Sequence, residues 1–218
     1  GETFVPRLVH AKAPASGEGL PVNAEGTYLI TGGLGNLGRR AGEWLASKGA
    51  GHVVLVSRRE PTDSTKAMIA DMEKTGTKIH VMLADIGERK SLEKLFKKMA
   101  KDLPPLKGLI HAAGVLQDGL LVDQTWEGFE KVLAPKKGGA IMLDELTRKL
   151  DLDFFVLYSS AASVMGSPGQ ANYATANAFL DALAHKRRAE GLPALSLNFG
   201  PWDEGMAATE QVMKSVAF

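Results

Sequence analysis

The sequence predicts an α/β fold, a Rossmann-like doubly wound parallel sheet with helices on both faces. Apolar runs of strand length alternate with stretches in which apolar residues recur at helical spacing. This alternation is typical of parallel sheets with crossover helices. A glycine-rich segment follows the first complete strand, where such sheets bind nucleotides. No internal repeat is visible, and 218 residues fit one domain, so we expect a single compact unit.

The composition excludes several classes of protein. Basic and acidic residues number 26 and 25, so the formal net charge of +1 favours neither nucleic acid nor an anionic membrane as a partner. The absence of cysteine excludes disulfides and thiolate chemistry. No apolar run reaches the ~18 residues of a membrane span, and the polar first residues lack the pattern of a signal peptide. We therefore expect a cytoplasmic location.

The histidines do not form a metal site. None of the five has metal-ligand spacing, so we expect no metal. They are His10, His52, His80, His111 and His185. His111 ends an apolar run and is predicted to be a packed, hydrogen-bonded residue.

Residues 1–25 are predicted to form an edge strand and a linker. The extended run from Phe4 to Val9 contains Pro6, and a strand with an internal proline is usually at a sheet edge. The stretch that follows is rich in Pro, Gly, Ala and Ser, as irregular connectors are. The run either pairs with a domain outside this chain or packs on the surface. Residues 26–218 form the predicted main domain.

The first strand-turn-helix unit begins at Thr27 and carries a glycine pattern at its turn. Gly33, Gly35 and Gly38 lie between a strand and a helix, where backbone N–H groups and a helix N-terminus can hold a pyrophosphate. A purely structural turn is the alternative. The predicted nucleotide contacts in this segment are Thr31, Gly33, Gly35, Asn36, Leu37 and Gly38.

The end of the second strand indicates NADP(H) rather than NAD(H). An acidic residue there would accept a hydrogen bond from the ribose 2′-hydroxyl of NAD, but the strand ends in Ser57, Arg58 and Arg59. Guanidinium groups favour a phosphate, so Arg58 is the expected primary contact and Ser57 its neighbour. Two solvated arginines at a strand end are the alternative.

Two further strand ends complete the predicted nucleotide site. The third strand, residues 78–83, leads into Ala84, Asp85 and Ile86, and Asp85 can accept a hydrogen bond from an adenine amino group. The fourth, residues 109–114, ends in Ala112, Ala113 and Gly114, whose small size allows close approach of a flat ligand. Simple packing is the alternative for each set. An amphipathic helix, residues 88–100, lies between the two strands, and its basic face is predicted to be solvated.

Polar side chains gather near the fifth and sixth strands. The fifth strand ends at Ser160, and Tyr173 and Asn177 follow one helical turn apart, on the same helix face. The sixth strand, residues 194–199, leads to Pro201 and Trp202, which lie at a ligand-binding edge of the sheet. Trp202 either covers the substrate loop or packs at the mouth of the sheet.

A long helix is predicted over residues 126–150, with a kink or break at Pro135. Lys136 follows the break and can turn inward there. Composition alone favours a surface lysine.

Five segments in fixed order resemble the short-chain dehydrogenase/reductase family. They are TGGLGNLG, LIHAAG, VLAPK, YSS and NYATANAFLDALA. Over residues 27–207, the resemblance is to the catalytic half of the ketoreductase domain of modular polyketide synthases. Ordinary family members carry lysine four residues after the tyrosine, where this chain has Asn177. Polyketide ketoreductases exchange the lysine and asparagine, and the similarity of PKKGGA to their PKxxGA selects Lys136.

The resemblance implies NADPH-dependent reduction of a β-ketoacyl group to a β-hydroxyacyl group. It implies that Tyr173 donates a proton to the carbonyl oxygen while Ser160 hydrogen-bonds the same oxygen. A free tyrosine has a pKa of about 10, so a nearby ammonium is expected to lower it, and Lys136 is the candidate. Asn177 is expected to position Lys136 or a water in the proton relay.

Two positions bear on the stereochemistry that the resemblance implies. B-type members, which form the D-hydroxyl, carry an LDD motif, whereas this chain has Leu116, Gln117 and Asp118. A-type members have tryptophan eight residues before the tyrosine, where this chain has Met165. We therefore expect B-type reduction. Thr175 replaces the proline linked to epimerisation of the α-substituent. Gln170 and Trp202 complete the predicted substrate and stereocontrol set.

The resemblance also implies partners. These are an acyl carrier protein with a phosphopantetheine-tethered β-ketoacyl chain, an upstream structural half of the ketoreductase, and other synthase domains. We expect that half to lie outside this chain and the lid after Met206 to be incomplete. An anionic carrier protein can meet Arg187, Arg188 or the lysines Lys97, Lys98 and Lys101, unless these are simply solvated helix faces. A free-standing reductase of small ketones and a redox-silent NADP(H)-binding or scaffolding module are the alternative functions.

Overall fold

The computed structural model of the chain describes residues 9–10 and 19–202. Six parallel strands form one sheet there, in the order β3-β2-β1-β4-β5-β6. They are β1 (Thr27–Thr31), β2 (His52–Ser57), β3 (Lys78–Leu83), β4 (Leu106–His111), β5 (Phe154–Ser160) and β6 (Leu195–Phe199). The strand order reverses between β1 and β4, and open parallel sheets bind ligands at such a point. The predicted Rossmann-like fold is confirmed.

Helices cover both faces of this sheet. They are α1 (Asn36–Ser47), α2 (Asp63–Glu73), α3 (Arg89–Asp102), α4 (Trp126–Leu133), α5 (Gly139–Thr147), α6 (Ala162–Met165) and α7 (Ala171–Ala189). The core side chains of α1 and α2 pack on one face, and those of α3, α5 and α7 pack on the other. The sheet is therefore doubly wound, as the sequence predicts.

The core consists of two apolar layers separated by the sheet. All five residues of β1 are buried, because the strand lies in the middle of the sheet with helices on both sides. Leu29 belongs to one layer, and its neighbours Tyr28 and Ile30 belong to the other. This alternation is the two-residue period of a strand, and it holds the carboxyl ends of the central strands in place for a site.

The predicted break at Pro135 is confirmed. α4 and α5 are joined by a π-helical turn, Ala134–Gly138, which takes the place of one continuous helix. Proline has no N–H to donate to the preceding turn, which weakens the regular helix at this point. The turn buries Lys136, so the lysine lies inside the protein and not on the surface.

Several boundaries differ from those expected. The amphipathic helix runs over Arg89–Asp102, and β4 ends at His111, which leaves Ala112, Ala113 and Gly114 at the start of the following loop. Of the predicted N-terminal strand, only Val9 is among the described residues, and it is not in a strand. The predicted lid after Met206 lies outside them.

Among the described residues, no helix is both long and apolar enough to cross a membrane. That part of the chain also contains no group of three or more His, Cys, Asp or Glu side chains placed to hold a metal ion.

Candidate active site

The glycine loop between β1 and α1 is a close-packed turn. A Cβ atom at Gly38 would lie 2.3 Å from the Gly32 carbonyl oxygen, and one at Gly33 would lie 2.7 Å from Leu55 Cα. Gly32 has a φ of 66°, and the Gly35 N–H donates to its carbonyl at 2.9 Å. Larger residues are therefore excluded at these positions.

The N-terminus of α1 is open to an anion. Its N-cap residue, Gly35, provides no side-chain cap, and the first turn contains no acidic residue. The first N–H groups of a helix have no partner within the helix and carry partial positive charge. Asn36 and Leu37 begin the helix, and the Asn36 side chain accepts from Arg39 at 2.6 Å. This turn fits the phosphates of a dinucleotide.

A cleft of about 420 Å³ begins beside this loop. It runs along the carboxyl ends of the strands as far as Ala134 and Pro135, next to Lys136. Seven residues of the predicted nucleotide site line it: Ser57, Arg58, Ala84, Asp85, Ile86, Ala113 and Gly114. Gly32 lines it as well and was not predicted, although it lies directly beside the glycine pattern.

The far end of this cleft is basic. Arg58 and Arg59 are exposed at its rim, and the Arg59 N–H donates to Ser57 Oγ at 3.1 Å, which fixes the strand end. Asp85 accepts from the Gly87 N–H at 2.8 Å, and its own N–H donates to Ser91 Oγ at 2.9 Å. A carboxylate held by the backbone and two exposed guanidinium groups are thus present where the adenine and ribose of a nucleotide are expected.

Thr31 and His111 form a buried link beneath the cleft. Thr31 Oγ1 lies 2.6 Å from His111 Nδ1, and it accepts a hydrogen bond from the Ala113 N–H at 3.4 Å. The other ring nitrogen, Nε2, lies 3.3 Å from the Lys136 carbonyl oxygen. Burial lowers the pKa of His111 to about 3, so the ring is neutral and the prediction of a packed histidine is confirmed. Thr31 is fully buried and can affect a nucleotide only through the shape of the loop.

Lys136 is a buried ammonium group with two partners. Its Nζ donates to the Tyr158 carbonyl and to Asn177 Oδ1, both at 2.8 Å, and it lies 5.4 Å from the centre of the Tyr173 ring. Burial lowers the pKa of Lys136 to about 8, although the negative charge of Asp181 acts in the opposite direction and raises it. A Cβ at Gly114 would lie 2.9 Å from Lys136 Cε, so the lysine passes closely over this loop.

Tyr173 and Ser160 come from two different elements. Tyr173 is in the first turn of α7, and Ser160 is the last residue of β5. Burial raises the pKa of Tyr173. Hydrogen bonds with the Asn177 and Ser160 side chains lower this pKa, but by less than burial raises it. The lowering expected from Lys136 is not found in this structure: its ammonium donates to other acceptors, and burial, which penalises the phenolate, raises the pKa of Tyr173 overall. A protonated phenol is the form that can donate a proton.

Four of the predicted stereocontrol residues lie on two loops that are joined by hydrogen bonds: Leu116, Gln117, Asp118 and Gln170. Gln170 Nε2 donates to Asp118 Oδ2 at 3.1 Å, and the Gly119 N–H donates to the Gly169 carbonyl at 2.8 Å. The Gln117 side chain lies against Gly128 of α4, where its Nε2 would be 3.3 Å from an added Cβ. Leu116 is half-buried in the same loop, while Met165 is largely exposed. The charge of Asp118 acts on Tyr173.

Trp202 and Pro201 lie away from the main cleft. The Trp202 ring packs edge-on against Phe199, with centroids 5.3 Å apart, and helps to line a smaller cavity of about 130 Å³ with Leu37 and Trp44. Pro201 is exposed. Of the two expectations for Trp202, packing at the mouth of the sheet describes its contacts.

Asn172 is a site residue that the sequence reasoning missed. Its side chain is fully buried, donates to the Gln117 carbonyl at 2.8 Å and accepts from the Tyr173 N–H at 2.7 Å. It thus joins the first turn of α7 to the stereocontrol loop. A polar residue directly before Tyr173 was the available signal. The Tyr158 carbonyl, by contrast, carries no signal in the sequence, because every residue has one.

The basic residues proposed to meet a carrier protein differ in exposure. Arg187 is fully buried and paired with Asp144, so its assignment to a docking surface was wrong. Arg188 and the α3 lysines Lys97, Lys98 and Lys101 are exposed. Lys98 is paired with Asp102 at 2.8 Å, as in an ordinary solvated helix face.

Most of the chain is similar in sequence to known polyketide synthases. The family model described as "KR domain" matches residues 26–204. The polyketide synthase GfsA of Streptomyces halstedii is 45% identical over 208 residues, which are 95% of this chain and 3% of that protein. A 6-methylsalicylic acid synthase of Arthrobotrys oligospora is 43% identical over 88% of this chain and 12% of its own length.

Solved structures agree with these relatives. A structure of A-type ketoreductases from a modular polyketide synthase superimposes with a TM-score of 0.85 at 41% identity, over 92% of this chain and 42% of that one. The ketoreductase from the first module of phoslactomycin biosynthesis in Streptomyces sp. HK803 gives 0.86 at 35% identity, over 94% and 47%. The chain thus spans less than half of these structures and a small part of the curated relatives.

Proposed function

The chain belongs to the KR domain family, the ketoreductase domains of polyketide synthases, and on that premise we propose that it reduces a β-ketoacyl group to a β-hydroxyacyl group. NADPH is the proposed hydride donor, and the proposed substrate is tethered to an acyl carrier protein through phosphopantetheine. The observation that carries the proposal is the convergence of Ser160, Tyr173, Asn177 and Lys136 at the carboxyl ends of the strands.

The proton is the part of the reaction that this chain's own residues supply. When bound, NADPH delivers hydride to the carbonyl carbon of the substrate. Tyr173 donates its phenolic proton to the carbonyl oxygen, and Ser160 donates a hydrogen bond that polarises the same bond. As the phenolate forms, the Lys136 ammonium near the ring stabilises its negative charge. Asn177 fixes that ammonium through the 2.8 Å bond.

The cofactor proposal rests on the shape and charge of the nucleotide cleft. The glycine loop has no room for side chains, so a pyrophosphate can approach its backbone closely. Arg58 is exposed at the opposite rim, where the 2′-phosphate of NADPH would lie, whereas Glu60 lies past the strand end and Asp85 belongs to the loop after β3. Guanidinium at this place supports NADPH over NADH.

We assign B-type stereochemistry on Asp118. Its carboxylate accepts a hydrogen bond from Gln170, and its negative charge contributes to the raised pKa of Tyr173, which supports a place for it near the phenol. Gln117, the departure from the family motif, lies against α4 instead. Two similar solved structures, at 41% and 40% identity, are of A-type and A1-type ketoreductases, so the shared fold alone does not decide the class. Chiral chromatography of the hydroxyacyl product tests the assignment, and an L-hydroxyl would contradict it.

The proposed partners follow from the family. Because the chain spans under half of the solved ketoreductases, the upstream structural half and other synthase domains are proposed as its neighbours. The carrier protein is proposed to deliver the acyl chain to Tyr173 from the side of the stereocontrol loops. We also propose a cytoplasmic location, because the proposed carrier-bound substrate and NADPH are soluble molecules.

A kinetic comparison tests the proposed function. NADPH oxidation is measured with a β-ketoacyl carrier protein and with a soluble β-ketoacyl thioester, for the wild type and Tyr173→Phe. We expect Tyr173→Phe to be slower by ~10²–10⁴-fold, the usual contribution of a general acid. Tyr28→Phe is the matched control, because Tyr28 is buried in the core, where its hydroxyl accepts a hydrogen bond from the Asn23 N–H.

Three outcomes separate the possible functions. Equal rates for the wild type and Tyr173→Phe would remove the catalytic assignment. Equal efficiency on free and carrier-bound substrate would favour a free-standing reductase. Binding of NADPH with no oxidation of it on either substrate would favour a redox-silent module.

A further inference from the structure

A cluster of polar side chains lies next to the site and has no role in the mechanism above. Its centre is Asp181 of α7, whose carboxylate accepts three hydrogen bonds. Ser163 Oγ and Asn198 Nδ2 donate to Oδ2 at 2.6 and 2.9 Å, and Ser196 Oγ donates to Oδ1 at 2.5 Å. All three donors are neutral, so these bonds hold the carboxylate without neutralising its charge.

The cluster connects α7 to the segment that carries Ser160. Ser163 belongs to α6, which begins two residues after Ser160. The Asn198 amide nitrogen, on β6, lies 2.7 Å from Ser163 Oγ and 3.3 Å from the Ser160 carbonyl oxygen. Asp181 therefore ties three elements together, α6, α7 and β6. Tyr173 lies on α7, and Ser160, the last residue of β5, is linked to the cluster through Asn198 and through the start of α6 two residues later.

Asp181 is also on the face of α7 that meets Lys136. Tyr173, Asn177 and Asp181 follow one another at intervals of four residues and so share one helix face. Asn177 accepts from Lys136, and the negative charge of Asp181 raises the pKa of Lys136 against the larger effect of burial.

The other titratable groups near Lys136 described above do not supply the negative charge that raises its pKa. His111 contacts the Lys136 backbone from β4 and is neutral, because burial lowers its pKa to about 3. Tyr173, from α7, is a protonated phenol with a raised pKa. Asp118, on the loop after β4, acts on Tyr173.

We propose that Asp181 is a positioning residue for the reduction. Its carboxylate holds the Ser160 segment in register with Tyr173, and its charge favours the ammonium form of Lys136. The inference rests on the proposed function, because both residues that it positions are assigned there. Two hydroxyl groups from different elements must meet one carbonyl oxygen, and small displacements of such groups are costly to the rate.

Two variants test the hydrogen bonds and the charge. Asp181→Asn keeps the size of the side chain and removes the charge, together with at least one hydrogen bond, because its amide nitrogen cannot accept. Ser163→Ala with Ser196→Ala removes two bonds and keeps the charge. We expect Asp181→Asn to lower kcat by ~10–100-fold with the KM for NADPH unchanged. The serine double variant should lower kcat less. Asp151→Asn, at an exposed carboxylate paired with Lys107, is the matched control and should leave kcat unchanged.

The charge is tested by titration, without reference to turnover. The pKa of Lys136 is measured by NMR on isotopically labelled lysine, with the resonance identified by its loss in Lys136→Gln. Asp181→Asn should lower the pKa of Lys136, because the negative charge that favours its ammonium form is removed. The serine double variant should leave the pKa of Lys136 unchanged.

Each result decides one part of the inference. An unchanged kcat in the serine double variant would overturn the positioning of Ser160, even if Asp181→Asn does not fold. An unchanged Lys136 pKa in folded Asp181→Asn would overturn the electrostatic part. A wild type that does not reduce ketones would instead remove the proposed function, while the NMR titration would still decide the link between Asp181 and Lys136.

Discussion

Lys136 shows how a single residue obtains its chemistry from its surroundings. An ammonium group has three N–H donors, and here the Tyr158 carbonyl and Asn177 accept from two of them. Burial disfavours the charge, whereas these acceptors and Asp181 favour it. Composition predicted a surface lysine, and only the exchange of lysine and asparagine in the motifs located it inward. The carbonyl partner was not predictable, because backbone groups leave no pattern in a sequence.

Arg58 gives a prediction at the same scale. Charge-assisted hydrogen bonds contribute about 1.5–3 kcal/mol, so Arg58→Gln should raise the Kd for NADPH by ~10–100-fold. The Kd for NADH, which has no 2′-phosphate, should change by less than ~2-fold. Fluorescence titration of the two nucleotides measures both constants. Arg188→Gln, at an exposed arginine in the last turn of α7, is the control. Equal losses for NADPH and NADH would contradict the assignment of Arg58.

The turn between α4 and α5 offers a test at the scale of an element. A Cβ at Gly139 would lie 2.5 Å from Ile86 Cγ2, so Gly139→Ala must displace either Ile86 or the segment that carries Lys136. We expect it to cost about 1–3 kcal/mol of unfolding free energy and to lower kcat by at least ~10-fold. Urea unfolding and steady-state kinetics measure the two effects.

The neighbouring glycine is the matched control for this turn. Gly138 has a φ of −61°, and a Cβ there would meet nothing within 4 Å. Gly138→Ala should keep full activity and raise stability by up to about 1 kcal/mol. If both variants behave alike, tight packing of the turn is not what places Lys136.

A buried ion pair holds α7 against α5. Arg187 donates to Asp144 and, at 3.2 Å, to the Pro193 carbonyl, and its guanidinium lies 3.9 Å from the centre of the Phe155 ring. Arg187→Met removes the buried partner of Asp144 and leaves this carboxylate only the bonds from the partly exposed Arg148, so it should cost up to about 3–5 kcal/mol of unfolding free energy. Arg188→Met, at an exposed position, should change it by less than ~0.5 kcal/mol. Chemical denaturation that gives similar values for both would contradict this role.

The fold of the whole molecule was largely predictable. The central strands are apolar runs because both of their faces are buried, and the glycine pattern marks the first turn. Helix α2 was missed because it buries only Thr65 and Met72 and so shows little periodicity. The contact between the loops at Gly119 and Gly169 was not predictable, since it joins segments fifty residues apart through backbone groups.

Hydride transfer tests the central claim most directly. The chain is given a β-ketoacyl carrier protein and NADPH that carries deuterium at C4 of the nicotinamide, and the released product is analysed by mass spectrometry. We expect a β-hydroxyacyl product with one deuterium on the hydroxyl-bearing carbon, and only traces of it from Tyr173→Phe. A product without deuterium, or equal product from the wild type and Tyr173→Phe, would contradict NADPH-dependent ketoreduction at this site.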